Sequence, residues 1–398
     1  MTRLFLIGFC GLLLALNAFS NDILLPAFWA IERDLGAPIE RVQAIIPLFL
    51  IAAGCGQLVF GPLSDRFGRR PLIFVGLGVF MAGTFVCLIA TSIGTLQAGR
   101  MLQGFGSACG VVVARAVLRD THSGAALART MALTMAIFAL GPITAPLIGV
   151  ALIALGGWRT AFIAIAIYAG GLAIAARWFQ ETLVEPDPRA LDRAQLAGAF
   201  RRVFGNAQSR YFLAVAAMTQ FTIVSLVSNS PRLFKSAFGI EGAQFALLLT
   251  MGGFGIIAGQ FANQRLITRF GVVTATRLAA GVLVAVAATL VGSTWFGLLG
   301  VSLFVVLFAA FGSSFLVVTA NSASLVLEPH REIAGFASSM YGFVTQMSGS
   351  LIALATFRLI GGAMLPWSIG LLITASLVLA AVLAYRPVRR PLQPVGAR

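Results

Sequence analysis

Gly61-Pro62-Leu63-Ser64-Asp65-Arg66-Phe67-Gly68-Arg69-Arg70 separates two long apolar runs, roughly 43–60 and 71–91. One acid and three arginines crowd a very short connection between segments of hydrocarbon length. So short a connection makes the two segments an antiparallel hairpin across a membrane. Its charges must lie at the water boundary, because charge in the bilayer core is costly. Gly68 suits the reversal, since glycine adopts backbone angles that other residues avoid.

The rest of the chain reads the same way. Of 398 residues 59% are hydrophobic and 10% charged, where soluble domains carry about 25% charge. A membrane-crossing helix needs ~20 apolar residues. Twelve such stretches stand out, at about 4–31, 43–62, 71–91, 95–117, 131–154, 159–179, 211–230, 243–263, 273–294, 296–320, 333–357 and 365–385. Strand-type alternation is absent, which excludes an outer-membrane barrel. The expected fold is an all-α membrane protein of twelve transmembrane helices.

The net charge of +15 is explained by topology rather than by nucleic-acid binding. With both termini cytoplasmic, the inner side holds Arg3, Arg66, Arg69, Arg70, Arg115, Arg119 and Arg129. It also holds the arginines of 177–210, 265–277 and 386–398, and Arg331. Only Arg33, Arg41, Arg159, Arg232, Lys235 and Arg358 fall outside, and Arg100 lies within a span. This bias fits the positive-inside rule. A nucleic-acid site would gather the charges on one folded face. Cys10, Cys55, Cys87 and Cys109 all lie in spans without metal spacing, and read as small apolar filler. His122 and His330 stand alone, so neither a metal nor a catalytic constellation is expected. No phosphate-binding loop is present, so no nucleotide or other cofactor is expected.

The longest polar stretch, about 181–210, splits the chain into an N-terminal half, 1–180, and a C-terminal half, 211–398. Part of this linker has the pattern of an amphipathic helix. Gly56-Gln57 with Arg66-Phe67-Gly68 recurs as Gly259-Gln260 with Arg269-Phe270-Gly271, at one constant offset. Both copies join the second and third spans of their half. Two parallel six-span repeats place a substrate site between the halves. The second copy has Thr268 where the first has Asp65.

These residues resemble the major facilitator superfamily along the whole chain. The block 61–70, with Gly61, Asp65, Arg66, Gly68, Arg69 and Arg70, is similar to the family's loop signature between helices 2 and 3. Arg100-Met101-Leu102-Gln103-Gly104-Phe105-Gly106-Ser107-Ala108 is similar to its motif in proton-coupled members. Gly141-Pro142, Pro146 and Gly149 resemble a looser antiporter motif, with the usual paired glycines reduced to Ile148-Gly149. Within the family, the chain resembles the Bcr/CflA type of drug-resistance exporters. The points of similarity are Asn21-Asp22 with Pro26-Ala27, Arg115-Ala116 with Arg119-Asp120, Gly157-Trp158-Arg159, Glu181-Thr182-Leu183 and Asn229-Ser230-Pro231. The resemblance implies two pseudo-symmetric six-helix halves and export of small amphipathic compounds in exchange for protons. It also implies a monomer in the inner membrane, with no enzymatic step. Some relatives carry a second acid deeper in helix 1, where this chain has Leu14.

Among the thirteen acids only Asp22 falls inside a span, and intramembrane acids are usually functional. Arg100 lies at similar depth on span 4. The two are the expected proton-coupling pair. Asp65 and Arg69 are read as a cytoplasmic latch, with a carboxylate favoured near a helix N-terminus. Gly141, Ala145 and Gly149 recur every four residues as a face for close packing. Pro142 and Pro146 should bend that helix. Asn17, Asn21, Gln57, Gln103, Gln220, Asn321 and Gln346 are candidate polar residues of the cavity. Export of a metabolite such as an amino acid or sugar remains open, as does a non-transporting receptor or scaffold. A scaffold would gain nothing from intramembrane charge.

Overall fold

The computed structural model describes residues 2–360 and 363–386. The expected C-terminal arginines Arg389, Arg390 and Arg398 lie outside the described residues, as do the side chains of Gln260, Arg331 and Arg358. Among the described residues twelve long helices form: α1 Arg3–Asp22, α2 Ile45–Phe67, α3 Arg69–Leu88, α4 Ile93–Thr121, α5 Gly124–Gly156 and α6 Arg159–Ala175, then α7 Ala207–Phe238, α8 Gly242–Phe270, α9 Val272–Trp295, α10 Val301–Leu327, α11 Ala334–Ile360 and α12 Met364–Ala384. Their outward faces are apolar: Ile167, Phe261 and Val306 are 64–71% exposed. That pattern suits hydrocarbon rather than water.

Two boundaries differ from the sequence expectation. The first span is not one helix to residue 31. α1 ends at Asp22, a 3-10 turn follows at Leu25–Ala27, and a short helix resumes over Phe28–Leu35. Pro26 lacks the N–H that would continue the ladder, and it disfavours helical angles in Leu25. The block 61–70 is not a loop either. α2 runs through Pro62 to Phe67 and α3 starts at Arg69, leaving only Gly68 between them. Gly68 has φ 95° and ψ 161°, and its counterpart Gly271 has φ 78° and ψ 163°. The repeat seen in sequence is therefore a repeated backbone corner that only glycine adopts without strain.

The helices pack as two six-helix halves with matching neighbours. α1 lies on α5, α2 and α3 on α4, and α3 on α6; α7 lies on α11, α8 and α9 on α10, and α9 on α12. The halves meet along α2 with α11 and α5 with α8. At the end carrying Gly68, the charged end, Arg115 Nη1 donates to Ser338 Oγ at 3.5 Å. In the middle, Thr250 Oγ1 donates to the Ile143 carbonyl of α5 at 3.0 Å. At the opposite end Glu40 pairs with Arg232 at 2.8 Å. Both ends of the passage between the halves are bridged.

Close seams depend on small residues. Cys87 Sγ would lie 2.7 Å from a Cβ at Gly99, and Cys109 fills the notch of Gly76, which bears out the reading of these cysteines as packing residues. The linker forms a helix, Arg193–Gly205, capped by Asp192 Oδ1, which accepts from Ala194 N at 3.0 Å. It buries Ala199 and Val203, as an amphipathic helix should.

Candidate functional site: a buried guanidinium and a charged knot

Arg100 is fully buried, and its charge is balanced by dipoles rather than by an acid. Nη1 donates to Gln103 Oε1 at 2.5 Å and to the Ser20 carbonyl at 3.3 Å, and Nη2 donates to Asn21 Oδ1. The Phe49 ring covers the guanidinium, its centroid 4.2 Å from Cζ, within cation–π range. Gly104 makes that cover possible. A Cβ there would collide with the Phe49 carbonyl, so only glycine lets α2 approach α4 so closely. The network continues outward. Gln103 Nε2 donates to Thr84 Oγ1 at 2.8 Å, Asn21 Nδ2 to the Asn17 carbonyl at 2.9 Å, and Asn17 Nδ2 to Ser107 Oγ at 3.0 Å. α1, α3 and α4 are thus tied around one cation, while Arg100 Nε has no partner among the described residues.

The expected Asp22–Arg100 pair does not form. Asp22 is half-buried, and its carboxylate makes no ion pair among the described residues. The reason is helical geometry. Successive residues point about 100° apart on a helix of 3.6 residues per turn. Arg100 takes the face of Ser20 and Asn21, so Asp22 is turned away from it. Beyond Asp22 the chain corner packs on α5. A Cβ at Gly149 would strike the Ile23 carbonyl and come within 3.1 Å of Pro26 Cγ, whereas one at Gly141 would meet Ala15 O at an ordinary 3.7 Å. The face of Gly141, Ala145 and Gly149 therefore holds α1, most tightly at Gly149. α5 continues as one helix through Pro142 and Pro146.

At the charged end Arg69 forks between two acids. Nη1 lies 2.6 Å from Asp65 Oδ1 and Nε 2.9 Å from Asp120 Oδ2, and Nη1 also donates to Ser64 Oγ at 2.8 Å. Asp65 sits at the C-terminal end of α2, so the helix dipole does not favour it there; Arg69 compensates. The carboxylate at the N-terminus of α3 is Glu181 instead. It accepts from the backbone N–H groups of Arg69 and Arg70 at 2.9 Å each, and of Thr182 and Leu183 at 3.0 Å each. Partial burial would raise its pKa, but these four donors outweigh that and hold it below the usual range. Asp187 N donates to the Asp65 carbonyl at 3.0 Å. The knot thus joins α2, α3, α4 and the linker. Arg66 lies over Phe67, 5.4 Å from its centroid, and Arg70 Nη2 donates to the Arg177 carbonyl at 3.0 Å.

The remaining polar candidates make contacts between helices. Asn21 and Gln103 serve Arg100, and Asn17 holds Ser107. Asn321 and Asn263 donate to one another at 3.2 Å between α10 and α8. Gln57 presses on Gly342, and Gln220 Cγ lies 2.7 Å from where a Cβ of Gly349 would stand. Gln346 packs beside Gly54 and has a buried Oε1 without a partner. Phe49, Thr84 and Ser107 were not legible as partners of Arg100. The four-residue spacing of Arg100 and Gly104 was the available signal that a close crossing accompanies the cation. Gln43 was missed as well: its Nε2 reaches Asn229 Oδ1 of α7 at 3.3 Å.

A twelve-helix membrane bundle in two repeated halves, with buried charge in one half and bridges at both ends, is the architecture of a solute transporter. The chain belongs to the Major Facilitator Superfamily, whose pattern it matches over residues 10–354. As a member of a transporter family it is not an enzyme; it works in a lipid bilayer on a small-molecule substrate. It is similar to Multidrug resistance protein D of Escherichia coli (strain K12), 29% identical over 374 residues, which cover 91% of this chain and 90% of that protein. It is also similar to the Bicyclomycin resistance protein homolog of Haemophilus influenzae, 28% identical over 385 residues and 94% of both chains. Its fold matches the crystal structure of a D-xylose-proton symporter with a TM-score of 0.72 at 14% identity, covering 95% of this chain and 97% of that one.

Proposed function

We propose that this protein exports small amphipathic compounds across the inner membrane in exchange for protons. Alternating access takes place between halves 1–180 and 211–398, joined by the linker 181–210. The observation that carries the reading is near full-length similarity to proteins named for multidrug and bicyclomycin resistance. The proton is assigned to Asp22, a half-buried acid without an ion-pair partner among the described residues. Arg100 keeps a fixed charge in its cage of Asn21, Gln103 and Phe49, and acts on Asp22 through the field rather than through contact. A cationic or polarised substrate competes with the proton for the same carboxylate, which couples the two fluxes. The arginine bias supports a cytoplasmic charged end and cytoplasmic termini. In this reading one chain supplies the whole pathway and the transporting unit is a monomer.

Inverted vesicles from a strain expressing the protein test this directly. An imposed pH gradient should drive uptake of compounds from a cationic and amphipathic panel, and collapse of the gradient should stop it. Uptake of amino acids or sugars alone would replace the drug reading with metabolite export. Gradient-independent flux would remove the proton.

A further inference from the structure

Between α1 and α6 the bundle has an open groove of about 400 Å³, lined by Phe5, Gly8, Leu12, Ile167, Gly171 and Ala175 among others. Its size is that of a ligand pocket. Two features distinguish it from an ordinary gap between helices. Gly8 and Gly171 face it from the two helices, and nothing lies within 4 Å of where their Cβ atoms would stand. These glycines, unlike Gly104 or Gly149, are not required by any helix crossing; their effect is to deepen the groove. Second, the Tyr168 hydroxyl that borders it donates to the Leu12 carbonyl at 2.8 Å. The lining therefore offers a ligand apolar surface and no free hydroxyl.

Both walls are membrane spans, and Ile167 is 71% exposed. The groove opens to hydrocarbon, and an empty apolar groove forfeits dispersion contacts along its lining. It runs from Phe5 and Ala175 at the charged end to Leu12 and Ile167 at mid-helix. At its charged end stand Arg3, two residues before Phe5, whose Nη2 donates to Thr130 Oγ1 of α5 at 3.4 Å, and Arg177, two after Ala175. Arg70 joins them, its guanidinium on the Arg177 carbonyl at 3.0 Å. Among the described residues none of the three guanidinium groups has a carboxylate within ion-pair distance; the Glu181 carboxylate is held by the Arg70 backbone N–H at 2.9 Å. Trp178 beside them is 66% exposed, as an aromatic residue at headgroup level is. Cations at that level attract anionic lipid.

We propose that this groove binds one acyl chain of an anionic phospholipid, whose phosphate lies among Arg3, Arg70 and Arg177. The site is separate from the passage between the halves and does not depend on what the protein exports.

Photolabelling of the full-length protein in vesicles tests it, with phosphatidylglycerol carrying a diazirine on its acyl chain and labelled peptides mapped by mass spectrometry. Label should concentrate on 5–12 and 167–175. Gly8→Leu and Gly171→Leu should each lower it there several-fold. Gly170→Leu, at a neighbouring position equally free of Cβ contacts but outside the lining, should leave it unchanged. The same probe on phosphatidylcholine should label these segments less, and an Arg3→Gln/Arg177→Gln double variant should erase that difference. Label spread evenly around the bundle, or indifferent to both leucine variants, would overturn the site. Equal labelling by the two headgroups in the parent protein would overturn its anionic selectivity.

Discussion

Arg100 gives its guanidinium to the side chain of Asn21, not to the carboxylate of Asp22 one position further on. In the proposed mechanism, structure and proton coupling fall to adjacent residues and can be separated by mutation. Asn21→Ala leaves a buried cation short of an acceptor, at a cost of about 1–3 kcal/mol, and should lower the unfolding temperature. Asp22→Asn removes no side-chain hydrogen bond among the described residues and should leave that temperature nearly unchanged, while abolishing substrate-induced proton release from the solubilised protein. If Asp22→Asn still releases protons like the parent, the coupling acid is elsewhere.

The two glycines of α5 should not behave alike. A methyl at Gly149 meets the Ile23 carbonyl, which is backbone and cannot turn aside, while one at Gly141 meets Ala15 O at 3.7 Å. Gly149→Ala should cost about 1–3 kcal/mol and depress transport, while Gly141→Ala should be nearly silent. Thermal melts of both variants, paired with flux, decide it; equal effects would mean that the corner after Asp22 yields to the added methyl.

Much of the fold was legible because spans of hydrocarbon length and a constant-offset repeat are one-dimensional signals. The Gly68 and Gly271 corners follow from the repeat, and the cysteines from their place in apolar runs. The site was legible only as a list of residues. Asp22 and Arg100 share a depth, which sequence can estimate, but not a facing direction, which one residue turns by about 100°. Glu181 caps α3 from a distance of more than 100 residues in the chain, and no local pattern announces such a partner. Gln57 and Gln220 are polar by type, yet they serve as packing against Gly342 and Gly349.

In the charged knot, Asp120 should matter more for stability than Asp65. Its side chain is 21% exposed against 46% for Asp65, and water screens the more exposed pair. Asp120→Asn should lower the melting temperature further than Asp65→Asn. The second variant should still insert and fold but turn over more slowly, if the Asp65–Arg69 contact holds one state of the transport cycle. Unchanged flux in Asp65→Asn would leave that pair with topology alone.

Glu181 carries a pH dependence of known sign. Its folded pKa lies below the unfolded value of about 4.3. Its stabilisation is therefore fully present above about pH 4.3 and is lost as pH falls through the lower, folded value. Glu181→Gln should melt a few degrees below the parent at pH 7, and the gap should narrow on acidification below about pH 4. A gap constant across that range would show that the four N–H bonds do not depend on the charge.

At the end opposite the knot, the charged contact between the halves is partly exposed, so it can act as a gate. Glu40 Oε1 meets Arg232 Nη1 at 2.8 Å with side chains 37% and 22% exposed, and Lys235 Nζ lies 4.0 Å from the Trp29 ring centroid. A partly exposed pair contributes about 0.2–1 kcal/mol, and a difference of 1 kcal/mol changes a two-state ratio about fivefold. That is too little to lock the passage and enough to bias it. Glu40→Gln should therefore shift the population towards opening at this end by up to about fivefold without unfolding the protein. Spin labels at Arg33 and Gln244 would report it as a growing long-distance component. The charge-swapped Glu40→Arg/Arg232→Glu variant should restore the parent distribution, because the attraction is regained with its sign reversed. If Glu40→Gln leaves the distances unchanged, Gln43–Asn229 and the aromatic contact hold this end shut by themselves.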